Sequence, residues 1–103
     1  MKAIWLTIPA VAALLIAGTA SADLALAKKS GCMACHAIDK KVVGPAWNEI
    51  GAKYSAEADG KATVLASIQK GSRGKWGKVP MPPQGRLSAE NAEKLAAYIM
   101  TLN

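Results

Sequence analysis

GCMACH, residues 31–36, holds both cysteines of the chain, Cys32 and Cys35, and its only histidine, His36. Three kinds of chemistry use such a cluster. A C-x-x-C pair acts as a redox dithiol in thioredoxin-like proteins, but there it sits near a βαβ pattern, and no strand pattern occurs in this chain. Zinc wants four protein ligands at a structural site and three at a catalytic one, and no carboxylate stands at a telling spacing to join two thiolates and one imidazole. The third reading is C-x-x-C-H as a covalent haem attachment. On a helical turn, residues three and four apart share a face, so both thiols can reach one porphyrin edge while the imidazole is carried beneath the ring. This reading uses all three residues at once.

The flanking sequence bears on the choice. Met1 and Lys2 precede an apolar run from Ala3 to Gly18, and Ala20 and Ala22 form an A-x-A arrangement. That is the anatomy of a secretory signal peptide over residues 1–22, cleaved after Ala22. The run is too short for a spanning helix and contains Pro9, so no membrane span is expected after cleavage. Export agrees with haem attachment, which in bacteria takes place outside the cytoplasm. It points to the periplasm.

Residues 23–103 form one small domain. Chains of this size often need a metal, a disulfide or a cofactor to complete a core. Phenylalanine is absent, so a macrocycle is a reasonable filler. Lys2 is the one charged residue of the leader, which leaves 12 of the 13 Lys+Arg against all 7 Asp+Glu, a formal +5. No aromatic stripe or binding motif suggests nucleic acid as a partner.

Periodicity predicts an all-α domain with four to five helices. A helix starts at LALAKK, residues 24–29. WNEIGAKY, residues 47–54, places Trp47, Ile50 and Tyr54 on one side, and residues 61–71 carry the stripe Val64, Leu65 and Ile68 with Gly71 as a stop. Ser88 reads as the N-cap of a last helix whose buried face is Leu95, Ala96, Ile99 and Leu102. Residues 71–86, GSRGKWGKVPMPPQGR, hold four glycines and three prolines and predict a structured functional loop.

Haem iron needs a second axial ligand. With one histidine and both cysteines committed, methionine remains. Met33 lies inside the attachment motif, and Met100 reads as core filler. Met81, in VPMPPQ, is presented by a proline-stiffened backbone and is the expected ligand. His/Met ligation raises the potential and fills the coordination sphere, which argues for an electron carrier and against an enzyme. A sensor in which Met81 yields to a small ligand is the alternative within the haem reading.

CMACHAIDKKVVGPA, WNEIGAKY, GSRGKWGKVPMPPQ and LAAYIMTLN together resemble the short bacterial class I cytochromes c over residues 23–103. The resemblance implies a monomeric, monohaem, periplasmic electron carrier with one haem c. It implies Cys32 and Cys35 as thioether anchors and His36 and Met81 as axial ligands. The Pro45 carbonyl would accept a hydrogen bond from the non-ligating nitrogen of His36, Trp76 would donate to a haem propionate, and the first and last helices would cross near the haem. Redox protein partners are implied as well: a terminal reductase or oxidase downstream and a quinol-oxidising complex upstream. Lys75 and Lys78 flank Trp76 and would steer an acidic partner. Three positions depart from the usual pattern. Gln84 replaces an Asn whose side chain touches the methionine sulfur, Ser67 stands where a basic residue often faces a propionate, and Tyr98 replaces a Trp.

Overall fold

The computed structural model describes residues 20–103. The expected leader lies outside the described residues as far as position 19. Residues 20–29 are helical (α1), so helix runs through the expected cleavage point between Ala22 and Asp23. Ala27 of α1 is fully buried, with Leu26 packed against the core beside it. Gly31 ends this region in the left-handed conformation, φ +82, which glycine adopts without steric cost.

Three further α-helices follow: α2 (Trp47–Ser55), α3 (Gly60–Lys70) and α4 (Ala89–Met100). Their existence follows the expected periodicity. In α2 the buried residues are Trp47, Ile50, Gly51 and Tyr54, and in α4 they are Ala92, Leu95, Ala96 and Ile99. Both sets fall at i, i+3, i+4 and i+7, one stripe of an amphipathic helix. In α3, Val64 and Ile68 are buried and Leu65 is half-buried at the core's edge. The Ser88 hydroxyl accepts from the Asn91 N–H at 3.1 Å, so the expected N-cap is formed. The chain departs from expectation at the other end. Helix α4 stops at Met100, and Leu102 lies beyond it, its N–H bonded to the Ile99 carbonyl at 3.0 Å.

Helices α2, α3 and α4 pack against one another, and Ala27 of α1 joins the same cluster. Burying one leucine-sized side chain contributes about 1.5–3 kcal/mol, and Leu95, 1% exposed, takes that stabilisation at the centre. Small residues set the helix spacing. A Cβ at Gly51 would run into the carbonyl oxygens of Leu102 and Ile99, so α2 meets the end of α4 backbone to backbone. The expected class, all-α with four to five helices, is what the structure has. Among the described residues the only sheet-like feature is one antiparallel bridge, Ser72 with Met81.

Candidate functional site

The core is open on one side. Trp47, Ile50 and Tyr54 of α2, Val64 and Ile68 of α3, and Leu95 and Ile99 of α4 also wall a cleft of about 320 Å³. Its remaining lining comes from the two irregular segments. The first supplies Cys32, Cys35, His36, Gly44 and Pro45, and the second Trp76, Val79 and Met81. Cys32, Cys35, His36, Pro45, Trp76 and Met81, the residues expected to hold the cofactor, therefore all line this one space. Of Met33, Met81 and Met100, Met81 alone lines it, and the other two pack against the core.

Local backbone explains how the cysteine motif is displayed. Cys32–Ala34 form a 3-10 turn, the Cys35 N–H reaches the Cys32 carbonyl at 3.2 Å, and the His36 N–H reaches it at 3.0 Å. One carbonyl thus gathers the backbone of all three reactive residues. Cys32 and Cys35 are not bonded to each other, and Cys32 is half-buried while Cys35 is exposed. Burial pushes the Cys32 thiol above its ordinary pKa, against an opposing backbone hydrogen bond and with the Cys35 charge adding to the rise. The dithiol reading also lacks its βαβ context, since the described residues form helices and no named strand. Zinc fares no better: among the described residues no three His, Cys, Asp or Glu side chains converge to hold an ion.

His36 is the one polar or charged side chain classed as buried among the described residues, 8% exposed. Its Nδ1 lies 2.8 Å from the Pro45 carbonyl oxygen. A carbonyl only accepts, so Nδ1 carries the hydrogen. In the neutral ring Nε2 is then bare, and its lone pair is what the imidazole has to offer a metal. The ring is also packed by Trp47, with centroids 5.9 Å apart, and Trp47 meets Tyr98 edge-on at 6.1 Å.

The Met81 segment is held by backbone. Ser72 and Met81 exchange two N–H···O=C bonds of 3.0 and 2.9 Å, closing the neck of the loop that carries Trp76. Trp76 packs edge-on to Tyr54 with centroids 6.4 Å apart. Gln84 is anchored through its N–H to the Ile68 carbonyl at 2.9 Å, and its side-chain amide donates to the Pro82 carbonyl at 2.8 Å. Ser67 and Gln84 both line the cleft, so two of the three departures face it. Two features escaped the sequence reading. Gly44 has no expected role at the site, yet it abuts the His36 ring. Val43 and Val79, half or more exposed, stand at the cleft's margin.

A cleft with apolar walls on three helices, two thiols at one edge, and an imidazole and a thioether in its lining suits a flat apolar macrocycle holding a soft-ligated metal. Comparisons with known proteins agree. Residues 24–103 match the family model described as Cytochrome c. The chain is 52% identical over 103 residues to a cytochrome c-552 of Nitrosomonas europaea, covering 99% of each chain. It is 51% identical over 77 residues to a cytochrome c-551 of Pseudomonas denitrificans, covering 75% of this chain and 93% of that one. The crystal structure of wild-type Nitrosomonas europaea cytochrome c552 superposes with a TM-score of 0.75 at 45% identity, over 78% of this chain and 99% of the other.

Proposed function

The chain belongs to the cytochrome c family, as a small class I member with one covalent haem c, and from that premise we propose that His36 and Met81 are the axial ligands of an electron carrier exported to the periplasm. The observation that carries this reading is the tautomer of His36. The Pro45 carbonyl holds the hydrogen on Nδ1 and leaves Nε2 bare in a cleft that Met81 also lines.

Each residue has a separate task. Cys32 and Cys35 anchor the group by thioethers at the cleft edge. His36 donates from Nε2, and Pro45 fixes its ring and raises its basicity, as hydrogen-bonded outer partners of metal ligands do. Met81 offers a soft thioether, and the paired backbone bonds to Ser72 hold it in place. Trp76, over the cleft, donates its indole N–H to a propionate. The apolar walls exclude water from both ligands. When bound, the haem supplies a one-electron ferric–ferrous couple. With both axial positions taken by side chains, no site is left for substrate, and the protein acts as a carrier and not as an enzyme.

The mature protein is residues 23–103, a monomer. Supporting those bounds, the Nitrosomonas europaea crystal structure is covered almost completely by 78% of this chain, about the share residues 23–103 make up. Among the described residues no helix is long and apolar enough to cross a membrane. The partner is a redox protein with an acidic surface, a reductase or oxidase downstream or a quinol-oxidising complex upstream. The place of two lysines supports this. Lys53, Lys61 and Lys94 pair with Glu57, Glu93 and Glu90, and none of these six lines the cleft. Lys75 lines it and Lys78 adjoins Val79 at its margin, and neither has a carboxylate partner among the described residues.

The test is an absorption spectrum of the purified protein, oxidised and reduced, read with its intact mass. The mass of residues 23–103 plus one haem is expected, together with sharp reduced bands and the weak red band of a methionine sulfur on ferric iron. Haem without the red band would remove Met81 as ligand and favour a sensor. No haem from a host competent in cytochrome maturation would overturn the assignment.

A further inference from the structure

We infer that Gly44 is a positioning residue for the axial histidine: its missing side chain is the space that lets His36 hold its ring against the Pro45 carbonyl. The inference rests on His36 being the iron ligand. The steric observation is direct. A Cβ built at Gly44 would fall 2.6 Å from His36 Cε1, 3.0 Å from Nδ1 and 3.1 Å from Nε2. All three are atoms of one ring edge, the edge that carries both nitrogens.

Glycine is commonly retained for a left-handed backbone, but that does not apply here. Positive φ occurs among the described residues at Gly31, Gly71, Gly74 and Gly77, not at Gly44. Any L-residue can adopt the backbone at 44, so what glycine contributes there is room. The turn cannot back away to make more. The Gly44 N–H donates to the Cys35 carbonyl at 2.7 Å, its own carbonyl accepts from the Val42 N–H at 3.1 Å, and Pro45 follows with a locked φ. The ring cannot easily retreat either, being 8% exposed and packed by the Trp47 indole.

A methyl group at 44 must therefore be relieved by turning or sliding the imidazole. That motion lengthens the Nδ1–H···O=C bond to Pro45. A ring with a weaker outer hydrogen bond is a poorer donor to ferric iron, so the ferrous state gains and the reduction potential rises. Gly44 thus acts on the iron through His36, as a spatial constraint set two residues beyond the exposed Val42.

The test compares the haem-loaded wild type, Gly44→Ala and Gly51→Ala. The last introduces a more severe clash, against the backbone carbonyls of Leu102 and Ile99 and not against the His36 ring. Three quantities are read: the red band, the reduction potential, and the solvent exchange of the His36 ring N–H in the ferrous state by NMR. Gly44→Ala is expected to keep haem and red band, raise the potential, and speed ring N–H exchange by roughly tenfold, the loss of about one net hydrogen bond. Gly51→Ala is expected to lower thermal stability while leaving ring N–H exchange at the wild-type value. Wild-type exchange and potential in Gly44→Ala would overturn the inference, as would equal shifts in both variants. If Gly44→Ala yields no holoprotein, it is repeated in a Trp47→Leu background, where the ring has room to retreat. Recovery there, with the raised potential relative to Trp47→Leu alone, supports the ring clash, and failure there too overturns it. A wild type lacking haem or the red band would instead sink the axial-ligand assignment on which the inference stands.

Discussion

Gly51→Ala sets two effects of opposite sign against each other, and the structure decides which wins. Gly51 lies inside α2. On intrinsic propensity alone, alanine in a helix interior is better than glycine by roughly 0.5–1 kcal/mol. The added Cβ, however, would overlap the Leu102 carbonyl oxygen and fall 2.5 Å from the Ile99 carbonyl oxygen and 2.8 Å from the Leu102 carbonyl carbon. These are backbone atoms, so no rotamer change relieves the contact, and α2 must move off the end of α4. Overpacking of this kind costs typically about 1–3 kcal/mol, and rigid backbone on both sides places this case toward the upper end. Net destabilisation of about 1–2 kcal/mol remains after the propensity gain, which in a domain of this size lowers Tm by roughly 5–15 °C. The assay is thermal unfolding of the holoprotein by far-UV circular dichroism, with the haem bands followed in parallel. A Tm equal to or above that of wild type would refute the backbone-to-backbone contact between α2 and the end of α4.

Met81→Ala should abolish the red band, lower the reduction potential and admit carbon monoxide to the ferrous protein, whereas Met33→Leu and Met100→Leu should do none of these; optical spectra of the three variants check it. Lys75→Glu with Lys78→Glu should slow electron exchange with an anionic complex such as ferricyanide by about tenfold at low ionic strength and flatten its salt dependence. Lys53→Glu with Lys61→Glu changes net charge equally at ion-paired positions that do not line the cleft and should slow it less, as stopped-flow rates against salt will show. Ser88→Ala removes the cap on α4 and should destabilise by about 1 kcal/mol in denaturant titrations, with the haem spectrum unchanged.

What was legible in the sequence is what local spacing controls. The 3.6-residue recurrence in WNEIGAKY and in the last helix marks their buried faces because one helix presents one stripe to the core, whatever it packs against. Ser88 marks its helix start because a cap acts within three residues. C-x-x-C-H is legible for the same reason, since the backbone bonds that gather Cys32, Cys35 and His36 all end on the Cys32 carbonyl within the motif. Contacts between segments were not legible. Nothing in the letters at 44 says that its Cα faces an imidazole eight residues earlier, and a glycine before proline reads as a turn. The end of α4 was extended to Leu102 by periodicity alone, whereas the chain turns after Met100 and its last carbonyls lie against Gly51.

The methionine loop shows how tertiary pairing bears on one of the sequence departures. From composition, Pro80, Pro82 and Pro83 stiffen the loop, and that was reason enough to expect Met81 to be presented. Stiffness by itself does not choose a direction. The direction comes from the paired bonds between Ser72 and Met81 and from the Gln84 N–H on the Ile68 carbonyl, which tie the loop to its own neck and to α3. All of these bonds use backbone atoms. The Gln84 side chain instead donates its amide to Pro82, two residues back. Holding Met81 in place therefore does not depend on whether residue 84 is Asn or Gln, and the longer side chain remains free to affect only the polarity near the sulfur. A substitution that looks like a change at the proposed ligand is, by this geometry, a change beside a methionine whose backbone the main-chain bonds already hold.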